Sequence, residues 1–173
     1  MQENNTTELH HLRQVFENEV QTTYSNSKWT TEQLADIVNI KTDLVIMHMQ
    51  ERKLNKYPQS LAEACERKAV FIVALAENGG FSAKACRVAN ISRSTLYLWK
   101  NGDGKTMKPD LHFTEYMDEV LASSADNMES ALYRAGINGD VKAMIFYLKA
   151  RRREVYGEGL PPTVSELVGR LTR

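Results

Sequence analysis

The sequence predicts an all-α protein in which a helix-turn-helix DNA-binding domain is followed by a long antiparallel helical hairpin for oligomerisation. Three observations support this fold class. Only four prolines interrupt the 173 residues, alternating β-branched runs are scarce, and apolar residues recur at helical spacing along most of the chain. The hydrophobic fraction of 42% is enough for a core, and the charged fraction of 25% is typical of a globular protein.

Residues 1–57 are predicted to form an N-terminal helical region with a helix-turn-helix-like unit. An apolar stripe marks a first helix, and a second pattern follows with its turn predicted at Asn39. The outward positions after this turn are apolar or acidic: Asp43, Ile46 and Met47. Because surfaces that face DNA are cationic, we expect this unit to serve packing or oligomer contacts, with DNA binding as the alternative.

Residues 60–105 carry the pattern of a helix-turn-helix DNA-binding domain. A support helix precedes two short helices, whose turn is predicted at Asn90, a residue type that tolerates the left-handed conformation. Ser92 is placed to cap the second short helix. The outward positions of that helix contain no carboxylate, as a surface facing DNA requires. The predicted DNA-binding residues are Lys84, Arg87, Ser92, Arg93, Ser94, Tyr97, Lys100 and Lys105. The alternative for this stretch is an ordinary two-helix corner.

These residues are expected to make different contacts with DNA. Arg93 is placed to reach a guanine edge or a phosphate, and Lys100 and Lys105 are placed to touch the DNA backbone. Lys84 and Arg87 lie on the preceding helix and are expected to clamp phosphates.

Residues 109–156 predict a helical hairpin that serves oligomerisation. Apolar residues keep a helical period from Phe113 to Ala135, and the short connection that follows forces the next helix, capped by Asp140, to run antiparallel. The long helix has more small and apolar surface than one partner covers, so we expect a subunit contact, with intramolecular core as the alternative. The predicted oligomerisation residues are Phe113, Met117, Val120, Leu121, Met128, Leu132, Ile145 and Leu148.

The last region, residues 157–173, is predicted to be a flexible tail. It contains a short amphipathic helix that could dock onto a partner or fold back on its own domain.

The charges are segregated along the chain although the formal net charge is +0. Between Lys84 and Lys108 there are six cations against one acid, and between Asp110 and Asp140 there are seven acids against one arginine. A basic patch beside an acidic helix predicts one face for nucleic acid and a separate face for protein contacts.

The sequence contains no convincing catalytic constellation, and we predict a protein that is not an enzyme and has no cofactor or metal. The adjacent His10 and His11 project about 100° apart on a helix, so they do not converge on one metal ion. His48 and His112 are isolated in the sequence, although His48 stands where an apolar residue is expected.

The expected location is the cytoplasm, or the host cytoplasm if the chain is viral. No apolar run approaches the roughly 20 residues that span a bilayer, so no membrane partner is predicted. The first residues lack the features of a secretory signal. The two cysteines, Cys65 and Cys86, match no metal spacing and suit a reducing compartment.

Three stretches resemble parts of the small subunits of phage terminases. The first, ENGGFSAKACRVANISRSTLYLWKN, is similar to their DNA-binding helix-turn-helix. The second, DLHFTEYMDEVLASSADNMESAL, is similar to the oligomer-building helix, and the third, YRAGINGDVKAMIFYLKARRREVYG, resembles the end of the hairpin. The resemblance covers a little over half of the chain and leaves out the first sixty residues.

This resemblance implies a protein that acts at the start of viral genome packaging. A homo-oligomeric ring binds double-stranded DNA at the packaging site and delivers it to a separate large subunit, which carries the ATPase and nuclease. Two alternatives stay open. The first is a dimeric helix-turn-helix transcriptional regulator of a phage or mobile element, and the second is an adaptor whose helix-turn-helix units bind protein.

Overall fold

The structure is a computed structural model that describes residues 2–156, with side chains from residue 9 onward; the predicted tail helix lies outside the described residues. Within this range the chain forms helices and no strand, so the all-α class is confirmed. None of the helices in this range has the length and apolarity needed to cross a bilayer. The helices are α1 (Gln2–Tyr24), α2 (Thr31–Arg52), α3 (Gln59–Glu77), α4 (Ser82–Val88), α5 (Arg93–Asn101), α6 (Leu111–Ile137), α7 (Val141–Arg151) and α8 (Arg153–Tyr156).

Two compact units make up the chain, and their boundary lies within α6. We call residues 1–122 the N-terminal unit and the rest, described to residue 156, the C-terminal unit. Each unit is described by itself below.

A single helix, α2, occupies the region in which the sequence predicted a turn. The Thr30 side chain accepts a hydrogen bond from the Gln33 amide, and the Gln33 side chain accepts one from the Thr30 amide, which is a capping box. The helix continues through Asn39 and ends where Lys53 adopts a left-handed φ of 53°. The prediction of a helix-turn-helix-like unit in residues 1–57 is therefore wrong. Asn39 is a weak helix former but not a breaker, and burial of Ile37, Val38, Leu44 and Val45 holds both halves of the helix together.

The centre of the N-terminal unit is α3. Residues 68–75 of this helix are all buried, because other helices cover it on every side. Phe16 and Val20 of α1, together with Leu44 of α2, belong to the same core.

A charged cluster that the sequence did not predict joins α1, α2 and α3. The Lys41 side chain is 1% exposed. Its ammonium nitrogen lies 2.8 Å from a Glu19 oxygen and 2.7 Å from a Glu66 oxygen. It also lies 4.3 Å from the ring centroid of Phe16. A buried charge with two carboxylate partners is compensated, so this cluster fixes how the three helices pack.

The N-terminal part of α6 completes the same core. Phe113 is fully buried, and its ring centroid lies 5.7 Å from that of Phe71 and 5.3 Å from that of Trp99. Met117 is also buried. Phe113 and Met117 were predicted to contact another subunit, and this is wrong because they face the core of their own chain. Val120 and Leu121 are half-buried against that core.

The C-terminal unit consists of the last part of α6, α7 and α8. Contacts join Glu129 to Arg151 and Tyr133 to Tyr147, whose ring centroids are 5.5 Å apart, so the two helices run antiparallel. The Asp140 side chain accepts from the Ala143 amide, which confirms the predicted cap. Of the predicted oligomerisation residues in this unit, Met128 and Ile145 are exposed, and Leu132 and Leu148 are half-buried.

Candidate nucleic-acid interface

The corner between α4 and α5 is built around Asn90. This residue has a φ of 51°, in the left-handed region where asparagine is tolerated. The Ile91 amide donates to the Cys86 carbonyl over 2.9 Å and closes the turn. Ala85, Cys86 and Ala89 are buried, and small side chains at these positions let the two short helices approach closely.

The start of α5 is fixed by a side-chain cap. The Ser92 hydroxyl accepts from the Thr95 amide over 2.9 Å, as the sequence predicted. One side of the helix packs on the core through the half-buried Leu96 and Trp99. The opposite side is open to solvent, and 64% of Tyr97 is exposed.

All of the predicted DNA-binding side chains lie at the surface. Lys100 is half-buried, and the others are exposed: Lys84, Arg87, Ser92, Arg93, Ser94, Tyr97 and Lys105. A groove between α4, α5 and the first part of α6 brings Arg93, Tyr97 and Lys100 together. The two cations of α4 lie against neighbouring groups, since Lys84 lies over the Phe81 ring and Arg87 donates to the Ala83 carbonyl.

A carboxylate stands beside this surface, which the sequence analysis did not predict. The Asp118 carboxylate on α6 lies 3.6 Å from the Lys100 ammonium. The two residues are 18 positions apart in the sequence. Only the packing of α6 against α5, through Met117 and the half-buried Leu121, brings them together.

The loop that follows α5 presents Lys105 from a defined structure. The Asp103 carboxylate accepts from the amides of Lys105, Thr106 and Met107 and from the Thr106 hydroxyl, at 2.6–2.8 Å. These hydrogen bonds, that of the Thr106 hydroxyl first, hold the pKa of Asp103 below its usual range. Gly102 has a φ of 70°, and a Cβ there would lie 2.3 Å from the Met107 carbonyl oxygen, so the loop requires glycine.

The end of the loop is anchored by a buried carboxylate. Asp110 contacts His48 of α2, with 3.0 Å between Nε2 and Oδ2, and forms an ion pair with Lys68 of α3. It also accepts from the Phe113 amide and so caps α6, while its own amide donates to the Trp99 carbonyl. Burial alone would raise the pKa of Asp110, but the His48 hydrogen bond and the Lys68 charge lower it well below its usual range.

His48 and His112, which are far apart in the sequence, lie close together in the structure. The rings of His48 and His112 are 5.8 Å apart, and the His112 Nε2 atom lies 3.0 Å from a Glu51 oxygen. The one sequence signal was His48 itself, at a position where an apolar residue is expected. Among the residues that the structure describes, no group of three or more histidine, cysteine or acidic side chains is arranged to hold a metal ion.

Comparison with known proteins gave no match to any family model, curated protein or solved structure.

Proposed function

We propose that this protein is a small terminase subunit, which binds viral DNA at the packaging site as a homo-oligomeric ring. It delivers that DNA to a large subunit, which carries the ATPase and nuclease. The observation that carries the proposal is the exposed face of α5, where Arg93, Ser94 and Tyr97 project from a helix that is capped and packed on its other side.

The chemistry of that face supports double-stranded DNA as the partner. We interpret α4 and α5 as a helix-turn-helix and α5 as its recognition helix. The major groove is wide enough to admit an α-helix, and an arginine near the start of such a helix can reach guanine O6 and N7. Ser94 and Tyr97 offer further hydrogen-bonding groups, and Lys105 on the ordered loop can reach a phosphate.

Two considerations support the homo-oligomer: the weakness of one such surface and the exposed apolar side chains of the C-terminal unit. Affinity for DNA comes mainly from the neutralisation of phosphates, and the DNA-binding face of one chain presents few cations. A ring compensates because binding of one copy raises the effective concentration of the others at the DNA. The C-terminal unit supports self-association, since 72% of Met128 is exposed and Ile145 lies open on α7.

Within this proposal the protein performs no chemistry and uses no cofactor, because hydrolysis and cleavage belong to the large subunit. The setting is the host cytoplasm. The exposed carboxylates Glu115, Glu119 and Asp126 of α6 are available for protein contacts, and the large subunit is the further partner.

The test is the binding of Arg93→Ala to a labelled DNA duplex, measured by fluorescence anisotropy with sequences enriched from a random pool. We expect Arg93→Ala to weaken specific binding by about 1–3 kcal/mol. Arg13→Ala, which removes an exposed cation from α1, is the matched control and should bind like the wild type. An Arg93→Ala variant that binds as tightly as the wild type would remove Arg93 from the DNA interface.

A further inference from the structure

We propose that Asp118 restrains DNA binding because it acts as an intramolecular counterion for Lys100. The inference rests on the proposed function and concerns the regulation of the same surface. Asp118 would compete with DNA phosphates for Lys100, so that each chain holds DNA more weakly than its cations alone would.

The geometry allows this competition. Lys100 lies in the last turn of α5, and Asp118 lies near the start of α6, with 3.6 Å between Nζ and Oδ1. Their side chains are 39% and 61% exposed, so both can be reached from solvent. Arg93 and Tyr97 line the same groove as Lys100. A duplex seated on the exposed face of α5 would therefore come close to the carboxylate.

The two partners of Lys100 compete because both are negatively charged. An ammonium group can donate to a carboxylate oxygen and to a phosphate oxygen, but a phosphate that approaches Lys100 also approaches the Asp118 carboxylate and is repelled by it. When Lys100 turns to DNA, Asp118 loses its partner and faces the phosphates with an uncompensated charge. An exposed pair of this kind is weak, so DNA can open it, but opening it lowers the net gain from the Lys100 contact.

The pair is not needed to hold α6 in place. The start of α6 is fixed by the buried Phe113 and Met117 and by Asp110. On another side of the helix, the Tyr116 hydroxyl donates to Asp43 over 2.9 Å. Loss of the Lys100–Asp118 contact should therefore leave the fold unchanged, so that a change in DNA binding reports on the contact itself.

The test compares Asp118→Asn with Glu119→Gln, which removes the same charge from the next residue of α6. Glu119 is exposed, its charge acts on Tyr116, and its side chain projects about 100° away from that of Asp118 around the helix. Affinity for a labelled duplex is measured over a series of salt concentrations. We expect Asp118→Asn to bind about twofold to fivefold more tightly at low salt. This gain should shrink as the salt concentration rises, because salt screens an exposed ion pair. Glu119→Gln should match the wild type.

A second background tests whether the effect passes through Lys100. In Lys100→Gln, the further change Asp118→Asn should give a smaller gain than it gives in the wild type, because only the direct repulsion between Asp118 and the phosphates remains to be removed. Thermal unfolding of every variant should match the wild type.

The inference is overturned if Asp118→Asn and Glu119→Gln behave alike, or if the gain persists in full without Lys100. A wild-type protein that binds no duplex at any salt concentration overturns the proposed function together with this inference. A wild-type protein that binds, with no difference between the two variants, overturns the inference alone.

Discussion

The N-terminal and C-terminal units differ in how far they bury their apolar side chains. The N-terminal unit buries Phe16, Phe71 and Phe113 completely and gives its buried charges, such as Lys41, ionic partners. In the described part of the C-terminal unit, Ala143 is the one apolar side chain that is buried, while 65% of Phe146 is exposed. The first unit has a buried apolar core, whereas the described part of the second leaves large apolar side chains open to solvent.

The largest expected effect is a change in the free energy of unfolding, which should differ between variants of the two units. Phe113→Ala should lower the free energy of unfolding by about 3–5 kcal/mol, because it leaves a cavity beside Phe71 and Trp99. Phe146→Ala removes the same group from an exposed site and should change it by less than about 0.5 kcal/mol. Denaturant titration followed by far-ultraviolet circular dichroism, which reports helix in both units, measures both. Similar losses of unfolding free energy in the two variants would contradict the difference in burial between the units.

A smaller effect tests the ion pair that anchors α6. Asp110→Asn keeps the shape of the side chain but removes the charge that Lys68 needs, and it should cost about 3 kcal/mol of unfolding free energy at neutral pH. Asp36→Asn, at an exposed position of α2, should cost almost nothing and serves as the control.

The pH dependence of this cost gives a second readout. Because the pKa of Asp110 is lowered in the folded protein, its contribution is fully present above the unfolded pKa of about 4 and is lost as the pH falls through lower values. The stability advantage of the wild type over Asp110→Asn should therefore shrink below about pH 4. A gap that stays constant down to the acid transition would show that the charge of Asp110 contributes nothing.

The local features of the fold could be predicted from the sequence, whereas several long-range ones could not. The left-handed Asn90 and the caps at Ser92 and Asp140 follow from residue type and spacing. The same reasoning failed at Asn39, because a residue that tolerates a turn does not require one when both flanks are buried in one core.

The features that could not be predicted depend on residue pairs that are distant in the sequence. The partners of Lys41 and of Lys100 lie on other helices, and Asp110, which contacts His48, lies in the loop before α6. No spacing in the sequence brings these pairs together. The apolar period of α6 is continuous, so it could not show that Phe113 faces its own core while Met128 is open to solvent.

The central claim is that the C-terminal unit assembles copies of a DNA-binding N-terminal unit. Light scattering coupled to size exclusion tests it most directly, with Ile145→Lys as the variant that places a charge on the open face of α7. The proposal predicts a closed assembly of roughly eight to twelve wild-type chains, and a smaller species for Ile145→Lys with an unchanged melting temperature. A stable dimer would favour the transcriptional regulator, and a monomer with the same mass as Ile145→Lys would contradict the claim.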